Sequence, residues 1–355
     1  MSFFSLLPKS FKLALMDTRI YRYCKYMKLK GSRNLSLKKH YSSLPKEEYE
    51  KLDEKILKSW MKYKIAYWEF YMLQLEDKTM NQISEYLSYR DSSKFTLEAN
   101  KRTAINILEN KYKSFCLFSK YYGRRVMFLT SEECEHGGGI NKLTKFVEEY
   151  GSSFIVKPLN LSKGRGVKKL STVNEIVEYV RQVKECVVED VIIQDESLAA
   201  FNKSSVNTLR ICTVNYGNGE IDVMWPCLRM GRTGSFVDNA GHGGVFAAVD
   251  VLTGKTMAAT DELHNIWEEH PDSKIKLVGF TIPRWEEAVA FVKELARNIP
   301  DAGFVGWDIA LTKTGWVMVE GNSAPLIIYQ MAIRKGILSE FHSMRNKYYM
   351  IRKGH

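Results

Sequence analysis

The chain has 355 residues, of which 45% are hydrophobic and 26% are charged. Its length suggests two or three folding units, and its apolar fraction is sufficient to form their buried cores. Its sequence contains no apolar run near the roughly 18 residues that span a bilayer, and Lys9 and Lys12 interrupt the stretch that a signal peptide would need. The six cysteines fall at no C-x-x-C spacing, which argues against a zinc or disulfide framework and favours a reducing cytoplasm.

The net charge of +11 is concentrated near the N-terminus. Residues 1–40 contain ten Lys and Arg residues and a single acid, Asp17, so this segment carries +9. Aromatic and aliphatic residues lie between the cations, a composition that suits an interfacial helix on anionic lipid. The alternative is a solvated helical arm that packs on the body of the protein. No stacking module or recognition motif accompanies the charge, so nucleic acid is not an expected partner.

The next part of the chain has a helical period. From Glu47 to about Tyr89, apolar residues such as Trp60 recur at spacings of three and four, which predicts one or two long helices. The segment from Leu97 to Lys120 continues this pattern. We therefore predict a basic amphipathic arm over residues 1–45 and a helical N-terminal region over residues 46–110.

Strand signals dominate the remainder. The segment YGRRVMF (122–128) is predicted to be extended and EHGGG (135–139) to be a loop. Short β-branched runs bounded by Gly, Asn and Asp then predict strands: FIVKPL (154–159), VVEDVIIQ (187–194), NTLRICTVNY (207–216), IDVMWPCLRM (221–230), GGVFAAVDV (243–251), VGWDIALT (305–312) and GWVMVEGN (315–322). Helical stretches are expected at about 173–185 and 285–298. The pattern predicts an α+β body built on antiparallel strands.

A glycine-rich loop, Ser162 to Gly166, lies between two predicted strands. A Walker-type phosphate loop is excluded because the string G-x-x-x-x-G-K-[ST] is absent. The loop's glycines nevertheless permit close backbone approach and its cations favour phosphate; a plain hairpin turn is the alternative. Lys157, at the end of an apolar strand, would be costly to bury unless it met an anion. These residues together predict a site for an anionic ligand.

A second polar group lies at the ends of two later strands. Asp308 ends one apolar run, Glu320 and Asn322 end the next, and a tight turn at 312–315 joins them. Pairing of the two strands would bring the three side chains together at one end of a hairpin. Two carboxylates and an amide oxygen, completed by phosphate and water, suit Mg²⁺. Solvated acids at strand ends are the alternative interpretation.

The order of these features resembles the ATP-grasp ligases, most closely the branch described as sugar-transfer associated. The resemblance covers about residues 100–335 and is carried in sequence by Lys111, Lys157 with the Gly-rich loop, VVEDVIIQDE, SVNTLRICTV, DNAGHGGVFAAVD, Asp308 and VEGNSAP. It implies an ATP-grasp fold, in which two α+β subdomains grip ATP after a helical N-terminal region. The nucleotide-binding subdomain would be residues 111–200, and the metal and acceptor subdomain residues 201–345.

Nucleotide-binding roles follow from the resemblance. Lys111 would contact the α-phosphate, although Asn110 stands where the family usually has Asp, and Lys157 would be the second nucleotide lysine. The lid over the β- and γ-phosphates would consist of Ser162, Lys163, Gly164, Arg165 and Gly166. The hinge whose backbone reads adenine would be Glu189, Asp190, Val191 and Ile192. Either Asp195 or Glu196 would bind the ribose hydroxyls.

Catalytic and acceptor roles are implied in the same way. Arg210, with Lys157, would be catalytic and would face the transferred phosphoryl group, a position that suits a permanently charged bidentate donor. The Mg²⁺ ligands would be Asp308, Glu320 and Asn322. The loop over the acyl-acceptor pocket would consist of Asp238, Asn239, Gly241, His242, Gly243 and Gly244.

The resemblance implies a ligase that uses ATP and Mg²⁺ to join a carboxylate to an amine through an acyl phosphate, with release of ADP. This chemistry needs no side-chain nucleophile, in agreement with the absence of G-x-S-x-G from the sequence. The sugar-transfer association implies a carboxylated sugar of a surface polysaccharide and an amino acid or other amine as substrates. The expected location is the cytoplasm, at the inner membrane surface if the arm binds lipid.

Two other functions stay open. One is an ATP-grasp phosphotransferase that acts on a hydroxyl acceptor and uses the same nucleotide residues. The other is a nucleotide-binding, membrane-associated adaptor without catalysis. The α/β subdomain that many ATP-grasp enzymes carry at the N-terminus is reduced here to helices and a strand or two before Lys111, so the helical region would have to supply part of the acceptor site.

Overall fold

The computed structural model describes residues 18–28, 44–150, 153–159, 165–234, 243–325 and 328–353. The chain divides into two compact units, the first made of residues 1–98 and 326–355 and the second of residues 99–325. The sequence-based boundaries after residues 45, 110 and 200 stay predictions. Among the helices in the described ranges, none is both long enough and apolar enough to cross a membrane.

The helices follow one another along the chain in this order: α1 (Arg19–Lys28), α2 (Lys46–Tyr63), α3 (Tyr67–Met72), α4 (Met80–Ile83), α5 (Tyr89–Ala99), α6 (Arg102–Glu109), α7 (Lys111–Tyr122), α8 (Ser131–Glu135), α9 (Gly138–Tyr150), α10 (Val173–Val183), α11 (Glu196–Ala199), α12 (Trp285–Arg297), α13 (Tyr329–Ile333) and α14 (Leu338–Lys353). The strands are β1 (Val126–Thr130), β2 (Phe154–Pro158), β3 (Lys168–Leu170), β4 (Glu185–Asp190), β5 (Thr208–Asn215), β6 (Ile221–Met230), β7 (Val245–Val249), β8 (Thr256–Asp261), β9 (Phe304–Thr312) and β10 (Gly315–Asn322).

The first unit is helical and contains both ends of the chain. Phe95 on α5 packs edge to face against Phe341 and Tyr348 of α14, with ring centroids 5.6 and 5.2 Å apart. Gln330 on α13 is buried and binds the backbone of Leu87 twice, accepting from its N–H at 3.1 Å and donating to its carbonyl at 2.8 Å. The last helices therefore complete the core that the first helices begin.

A four-stranded sheet lies in the second unit, with antiparallel strands in the order β1-β4-β2-β3. Phe154 and Val156 alternate with Ile155 and Lys157 along β2, so they point to opposite faces. The face with Phe154 and Val156 forms a hydrophobic core with α8, α9 and α10. Glu189 pairs with Ile155 across the sheet and therefore shares the other face with Lys157.

A six-stranded antiparallel sheet has the order β10-β9-β5-β6-β7-β8. Leu209, Trp307 and Ile309 lie on one face and share a hydrophobic core with α12. Arg210 and Asp308, which alternate with these residues, lie on the opposite face. Each sheet thus buries one face under helices and carries predicted site residues on the other.

A β-bulge on β10 decides which way Glu320 points. Met318 pairs with Ile309 and Glu320 with Asp308, so Val319 is an extra residue on β10. Strict alternation from Met318, which is fully buried, would place Glu320 on the hydrophobic face. The bulge resets the alternation and puts Glu320 on the same face as Asp308.

The predicted strands all form, and the helices expected at about 173–185 and 285–298 are confirmed. Of the expected long helices between Glu47 and Tyr89, only α2 is long; α3 and α4 are short. The loop prediction for residues 135–139 is confirmed only at His136 and Gly137, because Glu135 ends α8 and Gly138 begins α9. A Cβ at Gly139 would come within 2.8 Å of the Glu133 backbone, so glycine here allows the two helices to approach closely. The helices α8, α9, α11, α13 and α14 and the strand β8 were not predicted.

We expect Asn100→Ala to lower the free energy of unfolding by about 2–4 kcal/mol, because it leaves buried backbone groups without partners. The Asn100 side chain is buried; it donates to the carbonyls of Phe304 and Ser323 at 2.8 and 2.9 Å and accepts from the Phe304 N–H at 2.8 Å. Urea unfolding measures the change. Asn141→Ala, at an exposed position of α9, is the control and should change stability by less than about 0.5 kcal/mol. Equal effects of the two substitutions would contradict the prediction.

Candidate functional site

Three charged side chains lie in a row across neighbouring strands of the six-stranded sheet. Asp308 on β9 lies opposite Arg210 on β5 and opposite Glu320 on β10. Directly opposed residues of an antiparallel pair share a face, so the three side chains point to the same side. The structure thus brings Arg210 next to two residues of a hairpin that lies about 100 positions later in the sequence.

Asp308 is buried and held by two arginines. Arg210 donates from Nε to Oδ1 at 2.7 Å and from Nη2 to Oδ2 at 2.6 Å, and Arg229 donates from Nη1 to Oδ2 at 2.9 Å. Only 3% of the Asp308 side chain is exposed. Burial by itself would raise the pKa of Asp308, but the charges of Arg210 and then Arg229 outweigh it and hold that pKa at about 2. Asp308 is therefore an anion that orients both guanidinium groups.

Glu320 has the most solvent-exposed side chain of the three residues in the row. Its side chain is 52% exposed, and its Oε1 lies 3.9 Å from Arg210 Nη2. Desolvation by the surrounding protein and then the charge of Asp308 raise the pKa of Glu320. Water on the exposed side limits this shift. The Asn322 amide nitrogen lies 3.4 Å from both the Gly306 carbonyl and Glu320 Oε1.

These donors fit a cation that prefers oxygen ligands. Glu320 offers a half-exposed carboxylate, and Asn322 hydrogen-bonds through its amide nitrogen, which leaves its oxygen for a ligand. Asp308 lies beside Glu320 on the neighbouring strand and adds a second carboxylate. Within the described residues, no three His, Cys, Asp or Glu side chains cluster closely enough to hold a metal. Phosphate oxygens and water would complete the shell, as is usual for Mg²⁺.

A second buried carboxylate, Glu189, lies on the four-stranded sheet. Its Oε2 accepts hydrogen bonds from Lys157 Nζ at 2.9 Å and from Arg124 Nε at 2.8 Å. The exposed fractions of these side chains are 5% for Glu189, 17% for Lys157 and 3% for Arg124. Burial would raise the pKa of Glu189, but Arg124 and then Lys157 outweigh it and hold that pKa at about 2.

Arg124 connects this cluster to the six-stranded sheet. Its Nη1 donates to the Met318 carbonyl at 2.7 Å and to the Tyr122 carbonyl at 3.0 Å, and its guanidinium lies 4.6 Å from the centre of the Tyr122 ring. Met318 is the last residue before the bulge that orients Glu320. One guanidinium group thus contacts both the carboxylate beside Lys157 and the strand that carries Glu320.

Lys111 lies close to both clusters. It is the first residue of α7, where Asn110 caps the helix by accepting from the Lys113 N–H at 2.9 Å. Lys111 Nζ donates to the Pro158 carbonyl at 2.8 Å. Burial lowers the pKa of Lys111, and the charges of Glu320, Lys157 and Glu189 are near enough to influence it. The site therefore combines five cationic with three anionic side chains in the described part of the chain: Lys111, Arg124, Lys157, Arg210 and Arg229, with Glu189, Asp308 and Glu320.

The described lid and hinge residues lie near the same sheet. Gly166 has a φ of +70°, and its carbonyl accepts from the Tyr179 hydroxyl at 2.5 Å; Arg165 beside it is exposed. Ser162, Lys163 and Gly164 lie outside the described residues. Asp190 pairs with Arg125 through two hydrogen bonds of 2.9 and 2.8 Å. Val191 and Ile192 follow the end of β4 in an irregular segment.

The two candidates for the ribose contact have different surroundings. Asp195 caps α11, since its Oδ1 accepts from the Ser197 N–H at 3.0 Å. Glu196 is 89% exposed and lies 3.6 Å from Lys313 Nζ. Of the predicted acceptor loop, Gly243 and Gly244 immediately precede β7. The other members, Asp238, Asn239, Gly241 and His242, lie outside the described residues.

Three features of the site were not predicted: Arg124, Arg229 and the side-chain role of Glu189, which was assigned to a hinge through its backbone. Arg229 and Glu189 carried a signal in the sequence, whereas Arg124 did not. Arg229 interrupts the apolar run of β6, and Glu189 interrupts that of β4, where an unpaired charge would be costly. Such interruptions on several strands would have suggested mutual ion pairs.

Comparison with known proteins identifies the fold. A family model described as sugar-transfer associated ATP-grasp matches residues 175–346, which include Arg210 and all three predicted metal ligands. Residues 175–346 are thus similar to the sugar-transfer associated ATP-grasp family. The predicted ATP-grasp fold is confirmed, and so is its α+β class. Lys111 and Lys157 precede the matched segment.

Several solved structures are similar. The VanG D-Ala:D-Ser ligase from Enterococcus faecalis is 14% identical, with a TM-score of 0.46 over 71% of this chain and 64% of that one. The D-alanyl-alanine synthetase A from Vibrio cholerae is 13% identical, with a TM-score of 0.44 over 74% of this chain and 71% of that one. The ATP-grasp ligase PsnB, in complex with a precursor variant, Mg and ADP, is 10% identical, with a TM-score of 0.44 over 70% of this chain and 61% of that one. The chain thus spans less than two thirds of the VanG and PsnB chains. No curated protein sequence matches this chain.

The buried ion cluster predicts a pH-dependent stability. The pKa of Glu189 is about 2 in the folded protein and ordinarily 4.5, so the cluster stabilises the fold fully above about pH 4.5. This contribution is lost as the pH falls towards 2. Glu189→Gln leaves two buried cations uncompensated and should lower the free energy of unfolding at neutral pH by about 3–5 kcal/mol.

Urea unfolding of Glu189→Gln and the unchanged protein tests this at neutral pH and near pH 3. The difference between the two proteins should shrink at the lower pH, because Glu189 then loses its charge in the unfolded chain. Glu149→Gln is the matched control: Glu149 is 62% exposed and pairs with Arg125 at 3.2 Å, so its loss should cost less than about 1 kcal/mol. A difference that stays constant with pH would show that Glu189 stabilises the fold by packing alone.

Proposed function

We propose that the protein is an ATP-dependent ligase that joins a carboxylate to an amine and releases ADP. The row Glu320, Asp308 and Arg210 carries this proposal, because it sets an open carboxylate beside a guanidinium that a buried anion holds in place. The surrounding side chains carry more positive than negative charge, which suits a polyphosphate ligand. The match of residues 175–346 to the ATP-grasp family model supports ATP as that ligand.

The described residues suggest a division of roles. Lys157 and Lys111 would bind the phosphates of ATP through their ammonium groups. Glu320, Asn322 and Asp308 would hold Mg²⁺, which neutralises phosphate charge when bound. Arg210 would face the transferred phosphoryl group. Asp308 accepts hydrogen bonds from both Nε and Nη2 of Arg210. The guanidinium group would therefore need little reorganisation as charge develops on the transferred phosphoryl group.

The proposed reaction has two steps. An oxygen of the substrate carboxylate attacks the γ-phosphorus of ATP, the bond to the bridging oxygen breaks, and ADP leaves. The amine then attacks the acyl carbon, and phosphate departs with the oxygen that came from the carboxylate. The amine loses its proton to give the amide. No covalent enzyme intermediate is needed, so positioning and charge stabilisation supply the catalysis.

We further propose that the carboxylate belongs to a sugar of a surface polysaccharide and that the amine is an amino acid or a similar small molecule. The sugar-transfer association in the description of the matched family supports this class. A phosphotransferase with a hydroxyl acceptor would use the same nucleotide residues. A binding protein without catalysis is disfavoured, because Arg210, Asp308, Glu320 and Asn322 are all present.

Glu320→Gln should reduce ADP formation by about 100-fold or more, because it removes a charged ligand from the metal and phosphate site. The substitution lies at a half-exposed position and should leave thermal unfolding unchanged. Binding of Mn²⁺ in the presence of a non-hydrolysable ATP analogue gives a second, activity-independent measurement and should weaken in parallel. Glu286→Gln, which alters an exposed acid on α12, is the control. Normal ADP formation by Glu320→Gln would rule out the metal assignment.

The reaction itself is tested by its products. A panel of uronic acids and amines should reveal pairs that trigger ADP release. With an ¹⁸O-labelled carboxylate of an active pair, one label should appear in the released phosphate. AMP and pyrophosphate as products, or label in AMP, would show adenylation and contradict the mechanism. A stable phosphorylated acceptor without amide would instead show a phosphotransferase.

A further inference from the structure

Helix α1 exposes an apolar face. Ile20 is 78% exposed and Tyr23 is 50% exposed, and the thiol-bearing Cys24 is exposed as well. These residues are spaced by three and four, so they lie on one side of the helix. Water-soluble surface helices usually place such residues towards the core and their charges outward.

The opposite side of α1 faces the rest of the first unit and carries a buried cation, Arg22. Arg22 is only 9% exposed, and its Nε has no hydrogen-bond acceptor among the described residues. Its carbonyl accepts a hydrogen bond from Trp60 Nε1 at 2.8 Å, and Trp60 on α2 is 5% exposed. This contact fixes the rotation of α1. The helix therefore buries its arginine and presents its apolar side to the outside.

The charge of the surrounding sequence indicates what could cover that face. Residues 1–40 carry +9, and aromatic and aliphatic residues lie between the cations. A second copy of this chain would bring two such segments together, and like charges disfavour that contact. A lipid surface with anionic headgroups offers both an apolar interior and the opposite charge.

We propose that α1 docks on an anionic lipid surface, with Ile20 and Tyr23 entering the headgroup region, and that the net positive charge of residues 1–40 favours anionic over neutral lipid. This surface is in the first unit and is independent of the proposed ligase activity. Failure of one proposal would leave the other untouched.

Vesicle sedimentation with the full chain tests the proposal. The protein should bind vesicles that contain about one third phosphatidylglycerol and should leave pure phosphatidylcholine vesicles unbound. Binding should weaken strongly between about 0.1 M and 1 M salt, where the screening length falls from about 10 Å to 3 Å. Ile20→Ser combined with Tyr23→Ser should weaken binding by about tenfold or more. Leu252→Ser, at an 88% exposed position of the other unit, is the matched control and should bind normally.

A fluorophore on Cys24 reports contact with the lipid directly. Cys116, the other exposed thiol in the described part of the chain, is first replaced by serine. An environment-sensitive label on Cys24 should shift to the blue when anionic vesicles are added. Equal binding of the double variant and the unchanged protein would overturn the proposal. A label that is already blue-shifted without vesicles and does not respond to them would show that another part of the chain covers α1. Loss of self-association in the double variant, without vesicle binding, would identify a second copy as the occupant.

Discussion

Two buried carboxylates, each held between two cationic side chains, determine where the charged groups of the second unit lie. Glu189 lies between Arg124 and Lys157, and Asp308 lies between Arg210 and Arg229. A buried carboxylate without partners would be strongly unfavourable, so each anion fixes the geometry of its cations. The cations are consequently in place before any ligand arrives, which is the condition for electrostatic catalysis.

Arg124 makes the two clusters interdependent. It binds Glu189 with one part of its guanidinium group and the Met318 carbonyl with another. Lys157, the proposed phosphate ligand, pairs with Glu189, and Glu320, the proposed metal ligand, follows the bulge after Met318. Arg124 contacts both Glu189 and Met318, so it supports both positions. Lysine could not make the same set of contacts, because it lacks the planar fork of donors.

Local patterns in the sequence were sufficient to predict every strand except β8, the hairpin that carries Asp308 and Glu320, and the unusual position of Lys157. They were insufficient where a contact joins distant parts of the chain. The pairing of Arg229 with Asp308 and the packing of Phe95 on Phe341 depend on the tertiary fold. The bulge at Val319 shows the same limit in a different way. Alternation alone would turn Glu320 towards the hydrophobic core, and only the register against β9 corrects it.

The division of the chain has a consequence for the order in which the protein forms. The first unit needs residues after position 325, so a ribosome must synthesise the entire second unit before α14 can cover Phe95. At about 5–20 residues per second, this delay is roughly 10–50 s. The second unit is continuous in sequence and can begin to fold during that time. Until α14 is synthesised, Phe95 lacks the aromatic rings that cover it in the folded protein, so the first unit completes its core last.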